Sequence, residues 1–566
     1  MRLLVKQYFS SLRERDELDA VLPEILSGIG LEVFSRPSRG TQQRGVDIAA
    51  VGPDPTDGVR KVFLFSVKSG DLTRHEWNNA GAQSLRPSLD EIIDAYIPSR
   101  LSPEYASLPI VICPTFGGDT REDIRDVLKG YIDQNTNDRI SFQEWNGDRL
   151  TTHLLTGLFR EELLPEQART AFRKAVAMVD EPDIAYHHFA RMIHDLMPDA
   201  DADGTAKLSF LRQSAIATWI LFVWAREAEN LRGAMRAAEL AVLSGWHVAR
   251  NDLEGKAKTP TQMRSALEQL IHLDAAVRSA FIEGPVAEYA KIPDGLATAV
   301  PSASSVDVNL ALFDLVGRLG LQILYLAFQY RKAPEDEQEY LQERATKIKN
   351  LLVAAVTNND VLLCPVRDDQ SIDLTIAMLA LQSLNDTASI TAWVSGLIER
   401  TTFAFMSSAH YPRPTQDYRE LVRQSDKDKA KSTNANTLIP TLTLWAIRSD
   451  ADDALKDLMT FSSKHYTHST AQLWVPGPDS EENLYINSSQ HGYALTMKGD
   501  DSDLMKRVVS REVRENQHFA TLSAQAFGIW YVIVLACWHH RLPVPPQLWF
   551  PDHGENDAAE SAVHSN

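Results

Sequence analysis

Cysteine is scarce in this chain. Three residues of 566, at 113, 364 and 537, are too far apart to form a CxxC pair. A sparse, odd count excludes a disulfide scaffold and suits a reducing, cytoplasmic compartment. Long apolar runs are also missing. The two richest stretches, 215–225 and 526–538, are too short to span a bilayer and read as buried helices, so no membrane partner is expected. The N-terminal residues turn polar at Ser10 and show no signal-peptide core or cleavage pattern. Positive charge is in deficit: 57 Lys and Arg against 76 Asp and Glu give a net charge of −19. That balance excludes a surface uniformly coated for phosphate, so any nucleic-acid contact has to come from local basic patches and weaken with salt. No GxxxxGK[ST] occurs, which removes a P-loop motor, and neither HExxH nor GxSxG is present.

What is present is concentrated between Gly45 and Gly70. Two apolar runs, 46–51 and 62–67, flank a turn rich in Gly, Pro and Asp. Runs of this length with such punctuation predict two strands joined as a hairpin. Asp47 opens the first strand and Lys68 closes the second, so chain reversal delivers a carboxylate and an ammonium to one sheet edge. A strand buried on both faces rarely holds either group without a partner. A structural ion pair would explain the two residues as well as a catalytic site does.

The residues ahead of the hairpin bear on that choice. Leu18, Val21, Leu22, Ile25 and Leu26 have helical spacing, with Glu24 beside that apolar face and Pro23 marking a kink or a start. Gly28 and Gly30 end the helix and 31–34 reads as a short strand. A basic Gly-containing loop with Arg36, Arg39 and Arg44 then leads into Asp47. Beyond the hairpin, 108–113 reads as a further core strand, 119–132 as a helix and 140–145 as a strand followed by a helix start. Trp77 and Trp145 read as core, and His75 as an exposed histidine with no special role.

This order resembles the PD-(D/E)xK nuclease superfamily, in particular its restriction-endonuclease-like, Mrr-type branch. The family pattern is a helix Glu, then G-x-D at a core strand, then E-x-K or Q-x-K on the next; the matching positions are Glu24, Asp47 and Lys68. The resemblance covers residues 1–165 and implies an α/β domain with a mixed central sheet. It also implies a metal-dependent endonuclease acting on DNA through Mg²⁺ or Mn²⁺. In that family's chemistry a metal polarises the phosphate and a deprotonated water attacks. Asp47 and the Val67 carbonyl would be ligands, with Glu24 holding a metal-bound water or a second metal. Lys68 would orient or help deprotonate the water. Arg36, Arg39 and Arg44 would contact phosphates. One position departs from the pattern: Ser66 stands where Glu or Gln is usual, and a hydroxyl is a poorer Mg²⁺ ligand than a carboxylate. Asp71 or Glu76 could supply the missing carboxylate. Otherwise the domain would be a degenerate nuclease fold that binds nucleic acid or serves as a protein scaffold.

Residues 166–545 read as overwhelmingly helical, as a bundle or an α-solenoid. Segments at 208–229, 231–248, 262–281, 306–330, 335–357, 389–406 and 519–540 have apolar residues at three- and four-residue spacing or are apolar throughout. Asp199, Asp201 and Asp203 copy the start of an EF-hand loop, but Phe210 stands where a bidentate Glu is needed, so an acidic interhelical loop is expected. Loops are expected at 410–436, which is locally basic, and at 474–493. Residues 546–566 read as an acidic flexible tail. A helical region of this kind would sense a trigger, contact a protein partner or activating ligand, or hold a homo-oligomer. A small nuclease domain on a helical region without a motor resembles effectors of bacterial anti-phage defence.

Overall fold

In the computed structural model the described residues are 5–6, 9–10, 12, 14, 18–35, 44–78, 84–155, 166–407, 409–423, 429–487 and 491–550. They divide into two compact units, Met1–Ala241 with Asn251–Leu273, and Val242–Arg250 with Asp274–Asn566. The first unit therefore extends past residue 165 and takes in several helices.

Helix α1 (Asp19–Gly28) precedes a five-stranded sheet in the order β1 (Glu32–Ser35), β2 (Ile48–Pro53), β3 (Arg60–Lys68), β4 (Ile110–Phe116), β5 (Ile140–Phe142). β1, β2 and β3 run antiparallel, whereas β4 and β5 are parallel to β3. A mixed sheet is the expected class. Its central strands are apolar without alternation because both faces are covered, and β4 is buried along its whole length. The parallel step from β3 to β4 needs a crossover, which includes α2 (Leu85–Glu91). Leu85 and Leu89 of α2 pack with Trp77, Val62, Leu64, Ile110 and Ile112, and the same core takes Ile124, Leu128 and Tyr131 of α3 (Glu122–Asn135). Helix α1 continues through Pro23 and buries Leu22, Ile25 and Leu26 fully.

Three helices continue the unit: α4 (Glu166–Ala177), α5 (Pro182–Leu196) and α6 (Gly204–Glu227). Asp203 caps α6, accepting a 2.8 Å hydrogen bond from the Ala206 N–H, so the acidic segment Asp199–Asp203 is an interhelical loop and helix cap. The unit division falls within α7 (Arg232–Ala249) and α8 (Lys258–Phe281).

The second unit is built on α9 (Ser305–Tyr330), which is buried on most of its surface. Around it pack α10 (Glu335–Asn358), α11 (Gln370–Ser383) and the late helix Tyr531–His540. A solenoid repeat touches only its sequence neighbours. The contact between α9 and a helix about 200 residues later makes this a bundle. A Cβ at Gly320 of α9 would stand 2.9 Å from the Ala377 Cα, so the two backbones meet there with no side chain between them. Next come α12 (Thr387–Ser407), α13 (Leu438–Arg448) and α14 (Asp452–His465), then a small sheet of β6 (Ala435–Asn436), β7 (Thr470–Val475) and β8 (Tyr493–Lys498). The segment 474–493 is thus the connection between two paired strands. The expected helix over 519–540 is three pieces, Gln517–Thr521, Ser523–Ala526 and Tyr531–His540, and Gly528 at φ +69° marks one break.

By length and composition two helices, α6 and α9, could cross a membrane, but 78% of the relevant window of each is buried inside the fold.

Candidate active site at the edge of the first sheet

The hairpin places its acid and its base as chain reversal requires. Ile48 pairs with Phe65 and Ala49 with Leu64, and Asp47 directly precedes β2. Strand alternation puts Ser66 and Lys68 on the face of the sheet that carries Leu64 and, across the pair, Ala49. The Asp47 N–H donates to the Phe65 carbonyl at 2.9 Å, and its Oδ2 accepts the Val67 N–H at 2.7 Å. This carboxylate is held by the backbone of the strand that carries the lysine.

Lys68 is 6% exposed. Its Nζ donates to the Glu14 Oε1 at 3.1 Å. Glu14 lies in a charged run, Arg-Glu-Arg-Asp-Glu at 13–17, where nothing in composition or spacing separates one acid from the next. Only the fold singles it out. Ser66 is fully buried, and its Oγ has no hydrogen-bond partner among the described residues.

Glu24 is engaged by the helices that follow the sheet. Its Oε2 meets the Arg212 Nε of α6 at 3.2 Å, and its Oε1 accepts from the Gln269 Nε2 of α8 at 2.9 Å. It is 9% exposed and ties α1 to α6 and α8. The reason is rotational: Glu24 sits next to the buried stripe of α1, so it follows that stripe into the helical layer.

The two substitute carboxylates are engaged elsewhere too. Asp71 pairs with Arg121 at 2.7 Å and accepts the Asp119 N–H at 2.8 Å, closing the loop after β3 onto the loop after β4. Glu76 lies in the short turn Arg74–Trp77, 3.5 Å from the exposed His75, and the Thr73 hydroxyl caps that turn by accepting the Glu76 N–H. Nearby, Lys6 bridges Asp119 and Asp148 at 3.1 and 2.8 Å.

Of the three loop arginines, Arg36 and Arg39 lie outside the described residues. Arg44 is exposed and adopts φ +51° next to Gly45 at φ +79°. That turn presses on the crossover: a Cβ at Gly45 would sit 2.0 Å from the Ser88 carbonyl oxygen. Trp77 and Trp145 are core residues, as expected. Trp77 meets the Tyr131 ring edge-on at 5.3 Å, and Trp145 meets Phe65 at 5.1 Å on the opposite face of the sheet from Lys68. His153 stacks on Trp145, and burial followed by the Arg149 charge holds its pKa down to about 4.

Mg²⁺ keeps several waters and takes one or two carboxylates. Asp47 and the Val67 carbonyl offer one carboxylate and one carbonyl. Glu14 brings a second carboxylate to Lys68, and the Ser66 hydroxyl is a buried oxygen with no partner of its own. The donor chemistry therefore fits a water-rich Mg²⁺ or Mn²⁺ site. No group of three His, Cys, Asp or Glu side chains is assembled for a metal among the described residues.

Comparison of the chain with family models, with curated proteins and with solved structures gave no match.

Proposed function

We propose that the first unit is a metal-dependent endonuclease of the restriction-endonuclease-like kind, hydrolysing DNA phosphodiester bonds at the edge formed by Asp47, Val67 and Lys68. The observation that carries this reading is the pair of contacts at the end of β3. Asp47 is held on the Val67 N–H, and one residue further Lys68 is held on Glu14. Successive residues at the end of β3 thus hold a carboxylate through the backbone and a lysine–carboxylate pair through the side chain, which supports this reading. When bound on Asp47 and the Val67 carbonyl, a Mg²⁺ or Mn²⁺ would polarise the phosphate. Lys68 would orient the attacking water and steady the charge that develops on phosphate oxygens. Glu14 would fix the ammonium in place, and in this reading it takes the role expected of Glu24. Arg44 would contact phosphate from the adjoining turn. The helical unit would then control the nuclease through a partner or an activating ligand.

A second reading has its own support. Glu24 and Asp71 are spent on arginines, and Ser66 is neutral where the family carries Glu or Gln. This favours a degenerate nuclease fold that binds nucleic acid or scaffolds other proteins.

Cleavage of plasmid and linear DNA with Mg²⁺, Mn²⁺ or EDTA separates the two. The nuclease reading predicts metal-dependent cutting that Lys68→Ala abolishes. The scaffold reading predicts DNA retention without cutting, unchanged by Lys68→Ala.

A further inference from the structure

The second unit contains a cavity of about 250 Å³ where the C-terminal half of α10, the turn Asp360–Leu363, the end of α11 and the start of α12 meet. Its walls are apolar: Leu352, Val356, Leu363, Leu381 and Trp393 line it. The walls are also well supported. Leu352, Leu381 and Trp393 are 0–3% exposed, and the Trp393 Nε1 is already bonded to the Leu362 carbonyl at 3.1 Å, so the indole offers the cavity carbon surface only. Asp360, Thr357 and Ser389 also line it, and Asp360 and Thr357 are exposed. The Ser389 hydroxyl is engaged by Asp386. Asp360 is exposed, and its carboxylate makes no ion pair or hydrogen bond among the described residues.

We infer that this cavity is a binding site for a compact organic ammonium ion, with its apolar body against Leu352, Val356, Leu381 and Trp393 and its ammonium on Asp360. The size sets the first limit. Pockets for drug-sized molecules run from about 300 to 1,000 Å³, so this one takes a single ring or a short alkyl chain. The charge sets the second. A lone carboxylate beside an apolar hole favours a cation at the mouth and repels a carboxylate or phosphate there, and the low-dielectric wall behind it strengthens the interaction over its value in open water. A neutral ligand of the same shape would gain the apolar contacts alone. None of these residues belongs to the candidate nuclease edge, so the inference stands apart from the function proposed above.

The test is calorimetric titration of the full chain with 2-phenylethylamine and hexylamine as probes, and with 2-phenylethanol as the uncharged counterpart. The expected result is saturable one-to-one binding of at least one amine, about tenfold or more weaker for the alcohol. Asp360→Asn should weaken the amine by a similar factor and leave the alcohol unchanged. Ala392→Trp, placed at the exposed mouth, should abolish both. Circular dichroism and melting of both variants confirm that they are folded. Absence of saturable binding for both amines overturns the inference. So does equal affinity for amine and alcohol, or amine binding that survives Ala392→Trp.

Discussion

Lys68 and Glu14 are 54 residues apart in sequence, yet the Lys68 Nζ donates to the Glu14 Oε1 at 3.1 Å, one residue past the Val67 N–H that holds Asp47. In the nuclease reading this contact aims the ammonium at the reacting water. Glu14→Gln, which retains an acceptor but loses the charge, is expected to reduce cleavage about 10–100-fold, the usual cost of losing a group that orients a catalytic one. Lys68→Ala should remove it. Melting temperatures of both variants, read beside the rates, check that the loss is chemical.

Glu24 should behave in the opposite way. Its carboxylate, Arg212 and Gln269 form a nearly enclosed pair and hydrogen bond. Removing one partner of a buried ion pair costs about 3–5 kcal/mol, because the other charge stays behind unpaired. Glu24→Ala is therefore expected to lower stability by about 2–4 kcal/mol, the lower figure reflecting residual exposure of the pair. Cleavage per folded molecule should hardly change. Denaturant unfolding and rate measurements on the same samples check both halves; a large rate loss at unchanged stability would return Glu24 to the site.

Ser66 offers a prediction with an unusual sign. A buried hydroxyl without a partner costs about 1–3 kcal/mol of desolvation. Ser66→Ala is thus expected to raise stability by about 1 kcal/mol, visible as a shift of the denaturant midpoint at constant slope. If a water or metal ion uses that oxygen, the same variant loses cleavage while gaining stability.

At the far end of the hairpin Asp54 is buried against Lys61 at 2.8 Å, the Thr56 hydroxyl and N–H, and the Gln143 amide. Burial pushes its pKa up, but the Lys61 ammonium and the Thr56 donors outweigh burial and hold it down to about 2, from an ordinary value of 3.8. A folded value below the unfolded one gives stability that is complete above about pH 4 and is lost as the pH falls towards 2. The contribution is at most about 2 kcal/mol after allowance for solvent screening. Asp54→Asn should lower stability at pH 7 by up to about that amount and flatten the curve over that window, as read from denaturant unfolding at pH 2–7.

Gly45 tests the geometry of the turn that presents Asp47. Its φ of +79° and the 2.0 Å approach to the Ser88 carbonyl leave no room for a Cβ. Gly45→Ala is expected to cost more than the roughly 1 kcal/mol of an unfavourable φ alone, because backbone has to move. Gly58, also at positive φ but with open space around it, should accept alanine at about that smaller cost. A melting series of the two variants checks the difference.

The sheet could be read from sequence because its signals are local. Gly and Pro bracket two apolar runs, and the register that pairs Ile48 with Phe65 follows from where the turn lies. The long helices were legible for the same reason: α9 at Ser305–Tyr330 and α10 at Glu335–Asn358 lie within a residue of the periodic segments. The partners of charged groups were not. Glu14 and Glu24 carry the same side chain and both precede the hairpin, and their different fates depend on which way α1 turns its faces and on Arg212 and Gln269, roughly 190 and 245 residues away. No local pattern encodes that distance. The break of the last helix at Gly528 has no local signal beyond the glycine itself, because apolar residues continue on both sides of it.

The measurement that bears most directly on the proposed centre is cleavage of supercoiled plasmid by the purified chain over a range of Mg²⁺ and Mn²⁺, run beside Asp47→Ala, Lys68→Ala and Glu24→Gln. The account predicts metal-dependent nicking or linearisation by the wild type and by Glu24→Gln, and none by Asp47→Ala or Lys68→Ala. Cleavage that persists in Asp47→Ala and Lys68→Ala, or DNA binding with no cleavage by the wild type or by a Ser66→Glu variant, would contradict it.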